Sequence, residues 1–497
     1  MTPNHNAQRI QDSPRNVYWL SLVFLVVCSS FFSFYHSNTA YNTDEVWSIK
    51  TADLSYSSEL TVLRADVHPP LYFALLHFWI EAFGTSERTV RGISGLFYIL
   101  STLALFGLGR ELYGTRTAVL CAVVYLSSPL AILTAQFARM YALLSLLSIL
   151  STWLYLQFSL KPRDSRTLIS LYVVVNVLGT LTHIGFFFLL FAQVSTQFIF
   201  YRHARMKRFL IAVGLSLVPY LLLWAPILVG QIANAREGAA WVKKPGLSML
   251  GDLLFQFGGA FWLVVPLLLY LRWRTPSDSF GTSKKIPITN FLLCLLAITL
   301  FTPLLISLAK PIFNVRLAIV GLHLFALTIG LAAKRVFNYL LPFAVIVLTV
   351  TFMVMVHPVS TACDNREIAK HLSQTAKDDD VVIYTSLTRL PIDFYLAQTP
   401  TQKKIFETSF PAEIDQHPGY EGRINDPNRK AALEREAQQL VEKITRMQFE
   451  RIFFIHGFHP EIDGILEQKL RETFELLPSQ GAQCSEATYF KEVSVYR

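Results

Sequence analysis

Two neighbouring carboxylates, Asp44 and Glu45, follow the first long apolar run of the chain. At a membrane face such a pair can supply a general base for a hydroxyl group, because partial burial raises a carboxyl pKa and a nearby cation lowers it. A solvated acidic loop would read the same way. Further on stands Asp66-Val67-His68-Pro69-Pro70-Leu71-Tyr72, in which the prolines set the entry of a helix. Asp66 and His68 either cap that helix or face a substrate. Arg139, within Gln136-Phe137-Ala138-Arg139-Met140-Tyr141, is the only charge between two apolar runs, and Arg316, in Asn314-Val315-Arg316, opens another. A guanidinium beside a bilayer needs a partner, and its planar fork fits a phosphate, whether of a substrate or of ordinary lipid. Lys243 and Lys244 after Trp241 form a third cationic position. His183 lies between apolar runs without an acidic neighbour, which suits packing or hydrogen-bond donation better than metal ligation. The set suits chemistry at a phosphate-linked lipid.

Such residues need a scaffold, and the composition names its class. Of 497 residues 52% are hydrophobic and 16% charged, against about 25% charged in soluble proteins. Apolar runs near spanning length recur at 17–36, 90–109, 115–134, 141–160, 167–182, 184–201, 209–230, 257–271, 287–308, 316–333 and 338–356, with a shorter one at 69–84. The chain therefore reads as a polytopic α-helical membrane protein, and a secreted enzyme is excluded.

The chain's net charge is +9, and the basic excess lies in the first 357 residues, while the tail is net acidic. If 69–84 does not cross, the loops carrying Arg110/Arg116, Lys161/Arg163/Arg166, Arg202/Arg205/Lys207/Arg208, Arg272/Arg274/Lys284/Lys285 and Lys334/Arg335 all share the side of Arg9 and Arg15. That is the positive-inside pattern. It predicts an interfacial helix at 69–84 with Leu71, Leu75, Phe78 and Phe83 in lipid, and about 11 transmembrane helices. Loop bias accounts for the basicity, so membrane lipids are expected partners and nucleic acid is not.

The resulting domains are a cytoplasmic tail at 1–16, a transmembrane domain at 17–357 with its first outer loop at 37–89, and an extracytoplasmic α/β domain at 358–497. In the last, helices are expected at 364–377, around 428–447 and at 461–476, and strands at 381–385, 451–455 and near 488–496. Neither GxGxxG nor GxxxxGK occurs, which leaves nucleotide binding without a motif. The five cysteines form no CxxC or His/Cys cluster. No cofactor is required by the sequence, a divalent metal is unsupported, and Cys363 and Cys484 are the one pair placed to form a disulfide outside the membrane.

In order and spacing these motifs resemble the GT-C class of membrane glycosyltransferases, in particular bacterial relatives of the protein O-mannosyltransferases and of the lipid A aminoarabinose transferase. The resemblance rests on Asp44-Glu45, the Asp66-to-Tyr72 string, the Gln136-to-Tyr141 loop and Thr182-His183, with weaker echoes at Trp241-to-Pro245, Arg316 and the α/β tail. It implies a GT-C fold, a polyprenyl-phosphate sugar donor and a glycan, lipid or protein acceptor on the outer face of the cytoplasmic membrane. It assigns Asp44, with Glu45 beside it, as the catalytic position. It carries Arg139, and more loosely Arg316, to the lipid phosphate; Asp66, His68, Tyr141, His183 and Lys243 are expected beside them as substrate-binding residues. The chain departs at Met140-Tyr141-Ala142-Leu143, where the mannosyltransferases carry an acidic residue, so their acceptor class does not transfer.

A transporter or flippase of lipid-linked sugar would use the same arginines without making a bond. Such proteins keep polar groups within spans and often show repeats, whereas these spans are almost free of acidic residues and no repeat is visible.

Overall fold

The computed structural model of the chain describes residues 15–35, 37–54, 68–160, 165–200, 206–227, 244–259, 288–333, 365–399, 405–415, 427–457, 459–477 and 493–497. Its elements are α1 (Arg15–Phe34), α2 (Thr43–Ala52), α3 (Leu71–Phe83), α4 (Glu87–Tyr113), α5 (Thr115–Leu126), α6 (Pro129–Ala135), α7 (Tyr141–Leu160), α8 (Arg166–Thr180), α9 (Phe186–Phe200), α10 (Met206–Leu223), α11 (Leu247–Gly258), α12 (Ile288–Ala309), a 3₁₀ turn (Val315–Ala318) and α13 (Ile319–Ala333). The tail continues with α14 (Asn365–Thr375), β1 (Asp380–Thr385), α15 (Arg389–Leu396), β2 (Phe406–Phe410), α16 (Pro427–Met447), β3 (Arg451–Ile455), α17 (Pro460–Thr473) and β4 (Val493–Tyr496). The chain divides into two compact units, and Asn38–Asp53, with α2, groups with the tail rather than with the apolar helices around it in sequence.

In the first unit, α1, α4, α7, α10 and α12 are long and apolar enough to cross a membrane. The run at 115–134 is broken: α5 and α6 meet at 67°. The break falls at Ser127-Ser128-Pro129, because Pro129 has no amide to continue α5 and Ser128 caps the new helix. The expected count of about eleven therefore stands, among the described residues, at five such helices, or six with the bent pair. The shorter apolar helices are α3, α8, α9 and Val315–Leu331, and the run at 338–356 lies outside the described residues. Between the apolar runs at 209–230 and 257–271 the helix α11 starts at Leu247.

The helix α4 is central, packed on α1, α5 and α7. Its glycines allow close approach: a Cβ on Gly95 would lie 3.1 Å from Ser33 Cβ, and one on Gly109 3.2 Å from the Ala118 backbone. Polar side chains turn inward where lipid cannot satisfy them. Tyr172 donates to Gln193 (2.6 Å), Gln193 to Ser151 (3.0 Å) and Ser151 to Asn176 (2.6 Å), tying α7, α8 and α9, while Thr152 pairs with His323 of α13 (2.7 Å). As expected, 71–83 forms one short helix; Leu75, Phe78 and Phe83 are exposed, and Tyr72, Phe73, Leu76 and Ile80 form its buried face.

In the second unit a sheet of order β2-β1-β3-β4 has β1 parallel to both β2 and β3, and β4 antiparallel to β3. Val381, Ile383, Ile452 and Phe454 pack with α16 and α17. Val382, Tyr384, Phe453 and Ile455 alternate onto the opposite face and are also buried, so both faces are covered. Arg451 grips the fully buried Asp380 with Nη2 (2.7 Å) and Nε (3.2 Å), joining β3 to β1 at the start of the sheet. The helix α15 and the strand β2 were not expected from the sequence. The Cys363 and Cys484 pairing lies outside the described residues.

Candidate functional site

Four turns of the first unit converge. The segment before α3 carries His68, and the Leu71 amide donates to the Leu181 carbonyl (3.1 Å), which brings it to the turn that carries His183. The loop before α7 is held from two sides: Gln136 Nε2 donates to the Phe32 carbonyl of α1 (2.6 Å), and Ser94 of α4 donates to the Phe137 carbonyl (2.8 Å). Within it the Arg139 amide closes onto the Phe137 carbonyl (2.7 Å), a tight turn that sets the direction of Arg139. The fourth turn begins at Asn314, whose side chain accepts from the Arg316 amide (3.0 Å).

At the meeting point Arg139, only 5% exposed, places Nη2 3.4 Å from Nε2 of His68. Arginine has only donors, so His68 accepts there. The His183 ring centre is 5.7 Å from that of His68 and 5.7 Å from that of Tyr141. Tyr141 lies parallel to Phe137 at 6.4 Å, and the Arg316 guanidinium sits over Phe137 at 4.9 Å. Two guanidinium groups, two imidazoles, a phenol and an aromatic face thus share one corner, in which Arg139, His183, Tyr141 and Phe137 are buried and His68 and Arg316 half-buried. Its guanidinium groups, Arg139 and Arg316, have the planar donor geometry that suits an anion of the phosphate type.

His183 is a neutral member of this group. Its Nδ1 accepts from the Gly185 amide (2.9 Å), which puts the ring proton on Nε2. Burial first, then His68 and Arg139 beside it, lower its pKa to about 3. Leu317 packs closely on Gly185, where a Cβ would lie 2.1 Å from Leu317 Cδ1. That contact locks the His183 turn onto the turn of Arg316.

The two carboxylates fall in the second unit, and the helix they start separates them. Asn42 caps α2, accepting from the Glu45 amide (3.1 Å), while the Glu45 carboxylate accepts from the Asn42 amide (3.2 Å). This capping box occupies Glu45, which is fully buried. Asp44, one position earlier, is half-buried in the first turn, where the helix dipole favours a negative charge. Asp66 and Lys243 lie outside the described residues, and Lys244 is exposed.

Phe137, Ser94 and Gly185 were not singled out from the sequence, although Phe137 stood inside a quoted motif. Arg91, 4% exposed, donates to the Ser37 carbonyl (3.0 Å), and its one sequence signal is a charge at the start of an apolar run. Among the described residues, no three His, Cys, Asp or Glu side chains gather as metal ligands would.

Residues 67–229, which include His68, Arg139, Tyr141 and His183, match the family of dolichyl-phosphate-mannose-protein mannosyltransferases. No curated protein matches the chain by sequence. Among solved structures, ArnT from Cupriavidus metallidurans bound to undecaprenyl phosphate aligns with a TM-score of 0.60 at 12% identity, over 97% of this chain and 98% of that one. The apo state of that protein gives a TM-score of 0.61 at the same 12% identity, again over 97% and 98%. The arabinofuranosyltransferase AftD from Mycobacteria gives 0.55 at 12% identity, over 98% of this chain and 40% of that one. Likeness at this level of identity is likeness of fold. The chain has the fold of the GT-C membrane glycosyltransferases, and its residues 67–229 match the mannosyltransferase family by sequence.

Proposed function

We propose that this chain transfers a sugar from a polyprenyl-phosphate donor to an acceptor hydroxyl on a glycan, lipid or protein, at the outer face of the cytoplasmic membrane and with inversion. The observation that carries this reading is the corner formed by Arg139, Arg316, His68, His183 and Tyr141. It offers a phosphate the donors of a buried Arg139 and a half-buried Arg316. The undecaprenyl phosphate bound to ArnT supports a donor of this type. Loop charge supports a cytoplasmic N-terminus and an extracytoplasmic tail.

In the proposed reaction Asp44 takes the proton of the acceptor hydroxyl as its oxygen attacks the anomeric carbon. The bond from that carbon to the phosphate oxygen breaks, and the electron pair leaves with the polyprenyl phosphate. Arg139 and Arg316 stabilise the charge that builds on it, and His183 donates from Nε2 as a neutral group. Glu45 acts through the cap it forms. Asp66 and Lys243 belong to the same reading as substrate-binding residues.

The test is release of polyprenyl phosphate from a panel of polyprenyl-phosphate sugars by the purified chain in lipid, with a membrane extract as acceptor. Wild type should release it, Asp44→Asn should not, and Arg139→Ala should bind donor more weakly. A donor that binds while sugar never leaves it would turn the reading to a transporter. A product with retained anomeric configuration would exclude the single displacement.

A further inference from the structure

The segment that leads into α2 has no regular structure, so its backbone groups need partners from elsewhere. They come from residues more than 300 positions away. The Tyr41 amide donates to the Tyr395 hydroxyl (2.8 Å), and the Tyr41 carbonyl accepts from Asn365 Nδ2 (2.7 Å). Arg366 Nη2 donates to the Asn38 carbonyl (3.2 Å), and the Thr43 hydroxyl donates to the Leu387 carbonyl. The Tyr41 side chain, 1% exposed, stacks on the Tyr395 ring at 6.4 Å and meets Phe394 edge-on at 5.6 Å. Behind it Val46, Ile49 and Ala52 bury the inner face of α2, which packs on α15.

The place of this contact in the sheet is informative. In an open α/β sheet the crevice for a ligand lies beyond the carboxyl ends of the strands, where the chain order reverses. Here β2 and β3 flank β1 on opposite sides, so the reversal falls at β1 and β3. Beyond the end of β3 the gap is shut: a Cβ on Gly457 would lie 2.3 Å from Ser386 Cβ, and the Gly457 amide is taken by Thr385 and Asp463. Beyond the end of β1, Leu387 receives Thr43. The sheet's ligand end thus holds a piece of its own chain.

We propose that the α/β unit is the positioning element for the candidate base: Tyr395, Asn365 and the Leu387 carbonyl hold residues 41–43, fix the Asn42–Glu45 cap and so set the direction of the Asp44 carboxylate. This rests on the reading of Asp44 as the base. Tyr395 and Asn365 are positioning residues; they act through α2 and touch no substrate.

The experiment uses the full chain in lipid nanodiscs and two variants, Tyr395→Phe and Asn365→Ala, singly and together. Amide exchange needs no substrate: the double variant should exchange residues 43–52 about tenfold faster while β1 and β3 stay protected. With the polyprenyl-phosphate sugar that wild type turns over, kcat should fall about tenfold and the donor KM should stay within about twofold, the signature of lost orientation. Leu466→Ala, which opens the core on the α17 side, is the control for general weakening of the unit. Equal loss of kcat in Leu466→Ala at a matched fall in Tm would overturn the proposal, as would unchanged exchange at 43–52 in the double variant. A wild-type rate in Asp44→Asn would overturn the base reading itself, and that result is independent of the exchange data.

Discussion

The Gly185 amide donates to Nδ1 of His183 across 2.9 Å, and this one bond decides which form of the imidazole the corner contains. The proton stays on Nε2, and the pKa near 3 keeps the ring neutral across the physiological range. Unfolded, a histidine titrates near 6.5. Its folded value is lower, so between about 6.5 and 3 the unfolded chain binds a proton that the folded chain does not. The stabilisation is therefore complete above about 6.5 and is lost as the pH falls towards 3. Histidine-selective NMR should show an Nε2–H imidazole at position 183 that does not titrate from pH 8 to 5. Acidification below about 6.5 should lower Tm, and by less in His183→Gln. A ring that titrates near 6.5 would reject this account.

Gly185 also predicts a packing failure. A Cβ at this position lies 2.1 Å from Leu317 Cδ1 and 3.0 Å from His183 Nδ1, and Leu317 is buried. Gly185→Ala should destabilise by about 1–3 kcal/mol, the usual range for overpacking. Leu317→Ala in the same chain should recover part of the Tm, because it clears the colliding atom. Two independent losses that simply add would show that the turns are not locked to one another.

Arg316 is held over Phe137 at 4.9 Å. Phe137→Leu keeps the position apolar and removes the π face, which is worth about 0.5–2 kcal/mol. The binding of a polyprenyl phosphate, measured as Kd in nanodiscs, should weaken by roughly twofold to thirtyfold. Phe137→Tyr should bind as wild type does. Weakening in both variants would point to the shape of the site rather than to Arg316.

The adjacent carboxylates should respond differently to the same chemistry. Glu45 serves the cap of α2 through its oxygen, and glutamine fills that role as well. Glu45→Gln should keep most of the transfer rate, whereas Glu45→Ala should loosen the helix start by about 0.5–2 kcal/mol. Asp44→Asn should lose the rate with α2 intact by amide exchange. Equal loss of rate in Asp44→Asn and Glu45→Gln would return both residues to the reaction.

Much of the apolar frame was legible because a spanning helix is a local object. The runs at 90–109, 141–160 and 287–308 become α4, α7 and α12 with ends shifted by a few residues. In the tail, Val381–Thr385 and Arg451–Ile455 were visible as short β-branched and aromatic runs. The strand β2, Phe-Glu-Thr-Ser-Phe, has no such signal and is extended because β1 supplies its hydrogen bonds. The eight-residue α15 is too short, with Pro391 inside it, to show a period. The break between α5 and α6 was marked by Ser128-Pro129, but hydropathy averages over it.

Residue types and spacing determined the class of this protein: apolar runs that must leave water, arginines at their ends that must find anions, and carboxylates set apart from both. Each of these follows from the side chain and its near neighbours. Tertiary structure decided which of them meet. His68, Arg139, His183 and Arg316 join because turns pack against one another, and Asn38–Asp53 joins the tail because the Tyr41 amide and carbonyl bond to Tyr395 and Asn365. Contacts between residues far apart in the chain leave no local period, and so no local pattern could announce them.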